Sequence, residues 1–130
     1  MSREYLLDAS ALLAVIFDEP GADQIRNIFD ECRIHSVNLA EVMRKMVYLG
    51  MPVDEVIAGF AELHLEVITE VSWQEATEIA RLGPEAKRLG LSLGDCLCLV
   101  VAAKAGLVVV TADRRWSDIQ GADVRIMQIR

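Results

Sequence analysis

The sequence has few cysteines and no long apolar run, and these two absences narrow the class of protein. Its three cysteines, Cys32, Cys96 and Cys98, are an odd number with two of them one residue apart. This pattern suits neither a disulfide framework nor a zinc site. The longest apolar run, residues 96–103, falls well short of the roughly 18 residues of a membrane span, and the opening MSRE does not resemble a signal peptide. We therefore expect a cytoplasmic protein with reduced thiols and no membrane partner.

Basic residues are also scarce. The chain has 13 Lys and Arg against 20 Asp and Glu, which gives a net charge of −7 and a pI of about 4.8. Such an excess of acid argues at first against a nucleic-acid partner, because phosphate groups attract Lys and Arg. However, residues 46–80 contain seven acids and no base, so the rest of the chain has 20 − 7 = 13 acids and 13 bases. The excess therefore belongs to one segment and does not exclude nucleic-acid binding elsewhere.

The length of 130 residues and a hydrophobic fraction of 53% predict one domain, residues 1–130, with a single core region. Hydrophobic periodicity predicts strands over residues 4–7, 33–37, 67–71, 107–111 and 124–129. It predicts helices over residues 11–17, 22–32, 38–49, 53–65, 72–89 and 92–105, the fifth with a break at Gly83-Pro84. The predicted caps of the first, third, fifth and sixth helices are Ser10, Asn38, Ser72 and Ser92. This alternation predicts an α/β fold, a three-layer α/β/α sandwich with a central, mostly parallel sheet.

Four acids follow predicted strands or open the helices next to them: Asp8, Glu41, Asp95 and Asp113. In a parallel sheet, the carboxyl ends of the strands and the starts of the following helices share one edge, where ligand sites form. Each acid also has a structural explanation. Glu41 and Asp95 stand three residues after an expected helix cap, and the two acids that follow strands could form turns. Four converging carboxylates repel one another, however, which favours a shared cation.

A cluster of carboxylates without His or Cys indicates a hard cation, Mg²⁺ or Mn²⁺. Phosphodiester hydrolysis is the commonest chemistry of such a site, because the metal activates water and no protein nucleophile is needed. Asp8 and Asp95 are the expected direct ligands, and Glu41 and Asp113 could bind a second metal or a coordinated water. Arg114 and Arg115, next to the last acid, could hold a substrate phosphate or could be an exposed turn. His35 and His64 have no obvious Ser or Cys partner, and we interpret both as structural.

Four segments resemble, in order, the motifs of PIN-domain proteins, and their spacing resembles small bacterial toxins of the virulence-associated protein C type. They read YLLDASALLA (residues 5–14), NLAEV (38–42), LSLGDC (91–96) and VTADRRW (110–116). The resemblance implies an Mg²⁺- or Mn²⁺-dependent endoribonuclease with RNA as substrate and the four acids as its catalytic and metal-binding residues. It also implies a homodimer inhibited by a small antitoxin protein.

The same resemblance assigns supporting positions. Ser10 and Thr111 match hydroxyl residues that support the site. Some members carry a further acid just beyond the fourth motif; here Trp116 fills one such place and Asp118 lies nearby as a candidate.

Two other functions remain open at this point. A phosphatase of the haloacid-dehalogenase type would use Asp8 as its nucleophile, although it would need an acid at residue 10, where this chain has a serine. A PIN-like fold could also be a binding module without catalysis, although that role would not require four mutually repelling acids.

Overall fold

Five short parallel strands form the central sheet. In the computed structural model, which describes residues 3–130, they are β1 (Tyr5–Leu7), β2 (Cys32–His35), β3 (Glu66–Ile68), β4 (Val108–Thr111) and β5 (Arg125–Gln128). Their order is β3-β2-β1-β4-β5, and every neighbouring pair is parallel. Leu7 at the end of β1 is in register with Ile34 of β2 and Val110 of β4. The carboxyl ends of these three strands therefore meet at one edge, as predicted.

Helices cover both faces of this sheet. They are α1 (Ala9–Ile16), α2 (Ala22–Ile28), α3 (Ser36–Tyr48), α4 (Val53–Ala61), α5 (Trp73–Arg81), α6 (Gly83–Leu89) and α7 (Leu93–Ala105), with 3₁₀ turns at Phe29–Glu31 and Arg114–Asp118. None of the helices in the described part of the chain is long and apolar enough to cross a membrane.

Alternating residues of the central strands point into two separate cores. Leu7 and Val110 pack in a core with α1 to α4, whereas Leu6 and Val109 pack in a core with α5 and α7. Successive side chains of a strand point to opposite faces, so a strand that is apolar at every position must be buried on both sides. This arrangement confirms the three-layer α/β/α sandwich.

Several helix boundaries agree with the sequence. Capping boxes open α5 at Ser72 and α7 at Ser92. A break at Leu82 separates α5 from α6, one residue before the predicted Gly83-Pro84, which opens α6. Gly106 ends α7 in the left-handed conformation, with φ +69°, which glycine adopts without steric cost.

Two predicted caps are wrong. Asp8, not Ser10, caps α1, and its side chain accepts a hydrogen bond from the Ala11 amide. His35, not Asn38, caps α3: its Nδ1 accepts from the Val37 amide at 3.1 Å, and its Nε2 donates to the Glu70 carbonyl at 3.1 Å. The contact with Glu70 fixes this ring from a distant part of the chain, so α3 begins two residues earlier than its local sequence indicates.

The two tryptophans have opposite environments and offer a matched test of the packing. Trp116 is fully buried in the core beside α7, whereas Trp73 is 83% exposed. We expect Trp116→Ala to lower the free energy of unfolding by about 3–5 kcal/mol, because a large aromatic side chain leaves a cavity. Trp73→Ala should change it by less than about 0.5 kcal/mol. Urea denaturation followed by circular dichroism measures both values, and equal losses would contradict the packing described.

Candidate metal and active site

The carboxylate of Asp8 lies at the centre of the sheet edge and is almost fully buried. Asp8 follows β1 directly, and its amide donates to the Val110 carbonyl at 3.1 Å. Its Oδ1 accepts from the Ala11 amide at 2.8 Å. The backbone of β4 therefore holds the Asp8 main chain, and the backbone of α1 holds its side chain.

Two hydroxyl groups complete the surroundings of Asp8. Ser10 Oγ donates to Asp8 Oδ1 at 2.7 Å and accepts from the Ala112 amide at 2.9 Å. Thr111 Oγ1 donates to Asp8 Oδ2 at 2.6 Å and accepts from the Asp113 amide at 3.0 Å. Both residues predicted as supports thus contact Asp8 and connect it to the backbone that leads to Asp113.

Glu41 reaches the same edge from α3. The structural explanation of Glu41 was a capping box in which Asn38 is the helix cap. That explanation does not hold, because α3 already begins at Ser36. Instead, Asn38 Nδ2 donates to Glu41 Oε1 and to the Gly94 carbonyl, both at 3.1 Å. A side chain at Gly94 would collide with the Glu41 carboxylate. The absence of a side chain at Gly94 therefore allows Glu41 to lie against the start of α7, next to Asp95.

Asn38 and Gly94 are functional candidates that sequence reasoning missed. Asn38 is buried, and its Oδ1 has no hydrogen-bond partner within residues 3–130. The sequence offers no signal for either role, because the burial of Asn38 and its contact with Gly94 depend on the packing of α3 against α7.

Asp95 lies in the first turn of α7 and forms the predicted capping box with Ser92. Its Oδ2 accepts from the Ser92 amide at 2.9 Å, and its own amide donates to Ser92 Oγ at 3.1 Å, as in a capping box. Its Oδ1 accepts no hydrogen bond from any residue that the structure describes. The cap thus fixes one oxygen of this carboxylate and leaves the other free for a ligand.

The electrostatics of Asp8 and Glu41 differ from those of surface carboxylates. Burial raises the pKa of Asp8 to about 6. The hydrogen bonds that its carboxylate accepts lower this pKa, whereas the nearby charge of Asp95 raises it further. Burial, together with the charge of Asp95, raises the pKa of Glu41 as well. Beneath them, burial keeps the pKa of the Cys98 thiol well above its usual range, so that this side chain adds no charge to the site.

Asp113 follows β4, but it is bound to Arg115. The Arg115 Nε donates to both Asp113 carboxylate oxygens at 3.0 Å, and its Nη2 forms an ion pair with Oδ2. These contacts lower the pKa of Asp113. The same Nη2 lies 3.9 Å from Asp95 Oδ2. Asp113 therefore lies at the predicted edge, with a guanidinium group between it and Asp95.

The remaining candidates lie on the 3₁₀ turn after β4. Arg114 is exposed, and its side chain forms no hydrogen bond or ion pair with residues 3–130. Asp118 is exposed at the end of the turn, and its carbonyl accepts from Arg88 Nη2 at 2.8 Å. Trp116 is buried in the core. The structure therefore places Asp118 beside α6 and not against the three clustered acids.

The chemistry of the donors suits a hard divalent cation. The charged donors are carboxylate oxygens, the amide oxygen of Asn38 has no partner within residues 3–130, and Asp95 acts as a like charge on both Asp8 and Glu41. As the side chains lie, no three His, Cys, Asp or Glu residues of the described chain are close enough together to hold an ion. Coordination of one ion by Asp8, Glu41 and Asp95 would therefore require these side chains to move closer together.

Comparisons with known proteins agree with the observed fold. The sequence model of the PIN domain matches residues 5–122. No curated protein sequence matches the chain. The fold is similar to a DNA-bound VapBC structure from Salmonella typhimurium, with a TM-score of 0.72, 23% identity and complete coverage of both chains. It is also similar to VapBC2 from Rickettsia felis bound to a promoter DNA fragment, with a TM-score of 0.71, 17% identity and coverage of 95% and 97%.

A third similar structure is PAE2754 from Pyrobaculum aerophilum, with 28% identity, a TM-score of 0.59 and coverage of 94% of this chain and 90% of the other. The family match covers most of the sequence and includes all four acids. The chain belongs to the PIN-domain family, as its motifs predicted.

The raised pKa of Asp8 predicts that the ion-free fold loses stability as pH rises. A buried carboxyl with a folded pKa of about 6 and a usual value of 3.8 stabilises the fold below about pH 4, and this contribution disappears by about pH 6. In EDTA at pH 7, Asp8→Asn should therefore raise the free energy of unfolding by up to about 3 kcal/mol. Urea denaturation from pH 4 to 8 measures the difference between variant and wild type. A difference that does not grow with pH would contradict the burial of an ionisable Asp8.

The contact between Gly94 and Glu41 predicts a coupling between these residues. Alanine in place of glycine stabilises a helix by at most about 1 kcal/mol, but a methyl group at Gly94 would displace the Glu41 side chain. Gly94→Ala should therefore stabilise the protein less in wild type than in a Glu41→Ala background. A double-mutant cycle of unfolding free energies measures this coupling. Equal effects in both backgrounds would show that the contact carries no energy.

Proposed function

We propose that this protein is an Mg²⁺- or Mn²⁺-dependent endoribonuclease that acts in the cytoplasm as the toxin of a toxin–antitoxin pair. The observation that carries the proposal is the convergence of Asp8, Glu41 and Asp95 at one sheet edge. These acids come from three separate elements, and for Glu41 the competing explanation as a helix cap does not hold.

Each residue has a distinct part in the proposed site. Asp8, held by Ser10 and Thr111, would be the fixed ligand. Asp95 would contribute its free Oδ1, and Glu41 would complete the group. When bound, a divalent metal supplies an activated water and offsets the charge of the phosphate undergoing cleavage. The exposed Arg114 would hold a neighbouring phosphate of the RNA, because a guanidinium group donates two parallel hydrogen bonds.

The acidic composition does not conflict with an RNA substrate. Part of the charge of residues 46–80 is paired elsewhere, because Glu75 lies 2.7 Å from Lys104 and Glu66 lies within 3.4 Å of two arginines. At the candidate site a bound cation would reverse the sign of the field that a phosphate meets.

The proposed partners follow from the family and its relatives. Structures similar in fold include a toxin–antitoxin complex from Klebsiella pneumoniae and VapBC-1 from Haemophilus influenzae. We propose by analogy that a small antitoxin protein binds and inhibits this chain, and that the chain forms a homodimer.

The nuclease function predicts metal-dependent cleavage of RNA. Purified protein with Mn²⁺ should cut single-stranded RNA, and Asp8→Asn or Asp95→Asn should lower the rate about 100-fold or more, because each removes a charged ligand. Glu78→Gln is the matched control, because Glu78 is paired only with Arg81 on α5 and should retain wild-type activity. Gel analysis of a labelled RNA measures the rates, and circular dichroism confirms the fold.

Three results would contradict the proposal. Cleavage that persists in EDTA, or equally in both aspartate variants, would indicate a contaminating nuclease. Absence of cleavage with Mn²⁺ would favour a binding module. Hydrolysis of a phosphate monoester through a phosphorylated Asp8 would favour the phosphatase alternative.

The toxin role predicts that induced expression of the wild-type protein arrests the growth of a bacterial host. Asp8→Asn and Asp95→Asn should relieve this arrest.

A further inference from the structure

The guanidinium group of Arg115 lies between two of the four acids at the sheet edge. It forms hydrogen bonds with both carboxylate oxygens of Asp113, and its Nη2 is 3.9 Å from Asp95 Oδ2. A divalent cation shared by these two carboxylates would occupy the same region. Arg115 therefore provides positive charge at the place where a second metal would be expected.

Three further contacts hold Arg115 in this position. Its Nη1 donates to the Gly90 carbonyl at 2.6 Å and to the Leu89 carbonyl at 3.2 Å. Its own amide donates to Asp113 Oδ1 at 3.0 Å. The two carbonyls lie at the C-terminal end of α6, where the helix dipole favours a cation. Arg115 is therefore bound through its backbone and through both ends of its guanidinium group.

This binding makes Asp113 different from the other three acids. Both of its oxygens already accept hydrogen bonds from a cation, and bidentate pairing with arginine is among the strongest of charge-assisted contacts. A divalent ion approaching Asp113 would have to displace these bonds or approach a guanidinium group of like charge. Asp8 and Glu41, by contrast, form no ion pair with any residue that the structure describes.

We propose that Arg115 is a built-in counter-ion that replaces a second divalent metal between Asp95 and Asp113. The inference rests on the proposed metal-dependent function. Each chain then binds one divalent ion, through Asp8, Glu41 and Asp95, while Asp113 positions Arg115. The charge of Arg115 remains beside the bound ion, where it can offset negative charge on a phosphate of the substrate.

Counting bound ions tests this inference directly. Titration with Mn²⁺ alone, followed by calorimetry and by electron paramagnetic resonance, should show one ion per wild-type chain. Arg115→Gln should bind a second ion, because Asp113 is then free. Arg115→Gln combined with Asp113→Asn should return to one ion. Arg114→Gln, a change of the neighbouring arginine that forms no ion pair with residues 3–130, should stay at one.

Asp113→Asn provides a test that does not depend on the folding of the arginine variants. It should change the affinity for the first Mn²⁺ ion by less than about threefold, whereas Asp95→Asn should lower that affinity by about tenfold or more. Arg115→Lys, which keeps the charge, should still bind one ion.

The outcomes separate this inference from the proposed function. Two ions in the wild type, one ion in folded Arg115→Gln, or a large loss of affinity in Asp113→Asn would each overturn the role of Arg115, even if RNA is cleaved. One ion in the wild type and two in Arg115→Gln would support it, even if no RNA is cleaved and the nuclease proposal fails.

Discussion

The buried carboxylate of Asp8 is the group on which the arrangement of the site depends. It accepts hydrogen bonds from the Ala11 amide in α1, from Ser10 and from Thr111 in β4, and so it joins three elements at the end of β1. These bonds only partly offset the cost of burial, since the pKa of Asp8 is raised to about 6. The group that organises the sheet edge is thus also one whose ionised form a nearby cation would stabilise.

The acids of the candidate site differ from a structural acid in whether a Lys or Arg side chain pairs with them. Glu75 is buried but lies 2.7 Å from Lys104, so its charge is balanced within the helical layer. At the sheet edge the balance is incomplete, because Asp8 and Glu41 pair with no base in the described chain, and Arg115 is shared by Asp95 and Asp113. Acids without a basic partner are typical of functional sites, because a bound ligand of opposite charge can neutralise them.

Much of the architecture and the position of the site could be predicted because both depend on local patterns. The apolar run of β4 and the alternation of strands and helices predict a parallel sheet, and strand ends in such a sheet share one edge. The helix cap at His35 could not be predicted, because its ring is held by a carbonyl 35 residues away. The role of Gly94 was hidden for the same reason, since it depends on Glu41 in another helix.

Local sequence thus specified the secondary-structure pattern, the fold class and the identity of the four acids, because periodicity, caps and turn residues act over a few positions. Packing in three dimensions specified how these acids differ from one another. Thr111 lies 103 residues from Asp8 yet donates to it, because β4 is adjacent to β1 in the sheet. Arg115, which binds Asp113 two positions away, is also held at the end of α6, 25 residues away. Such contacts depend on distances between elements, which no local pattern records.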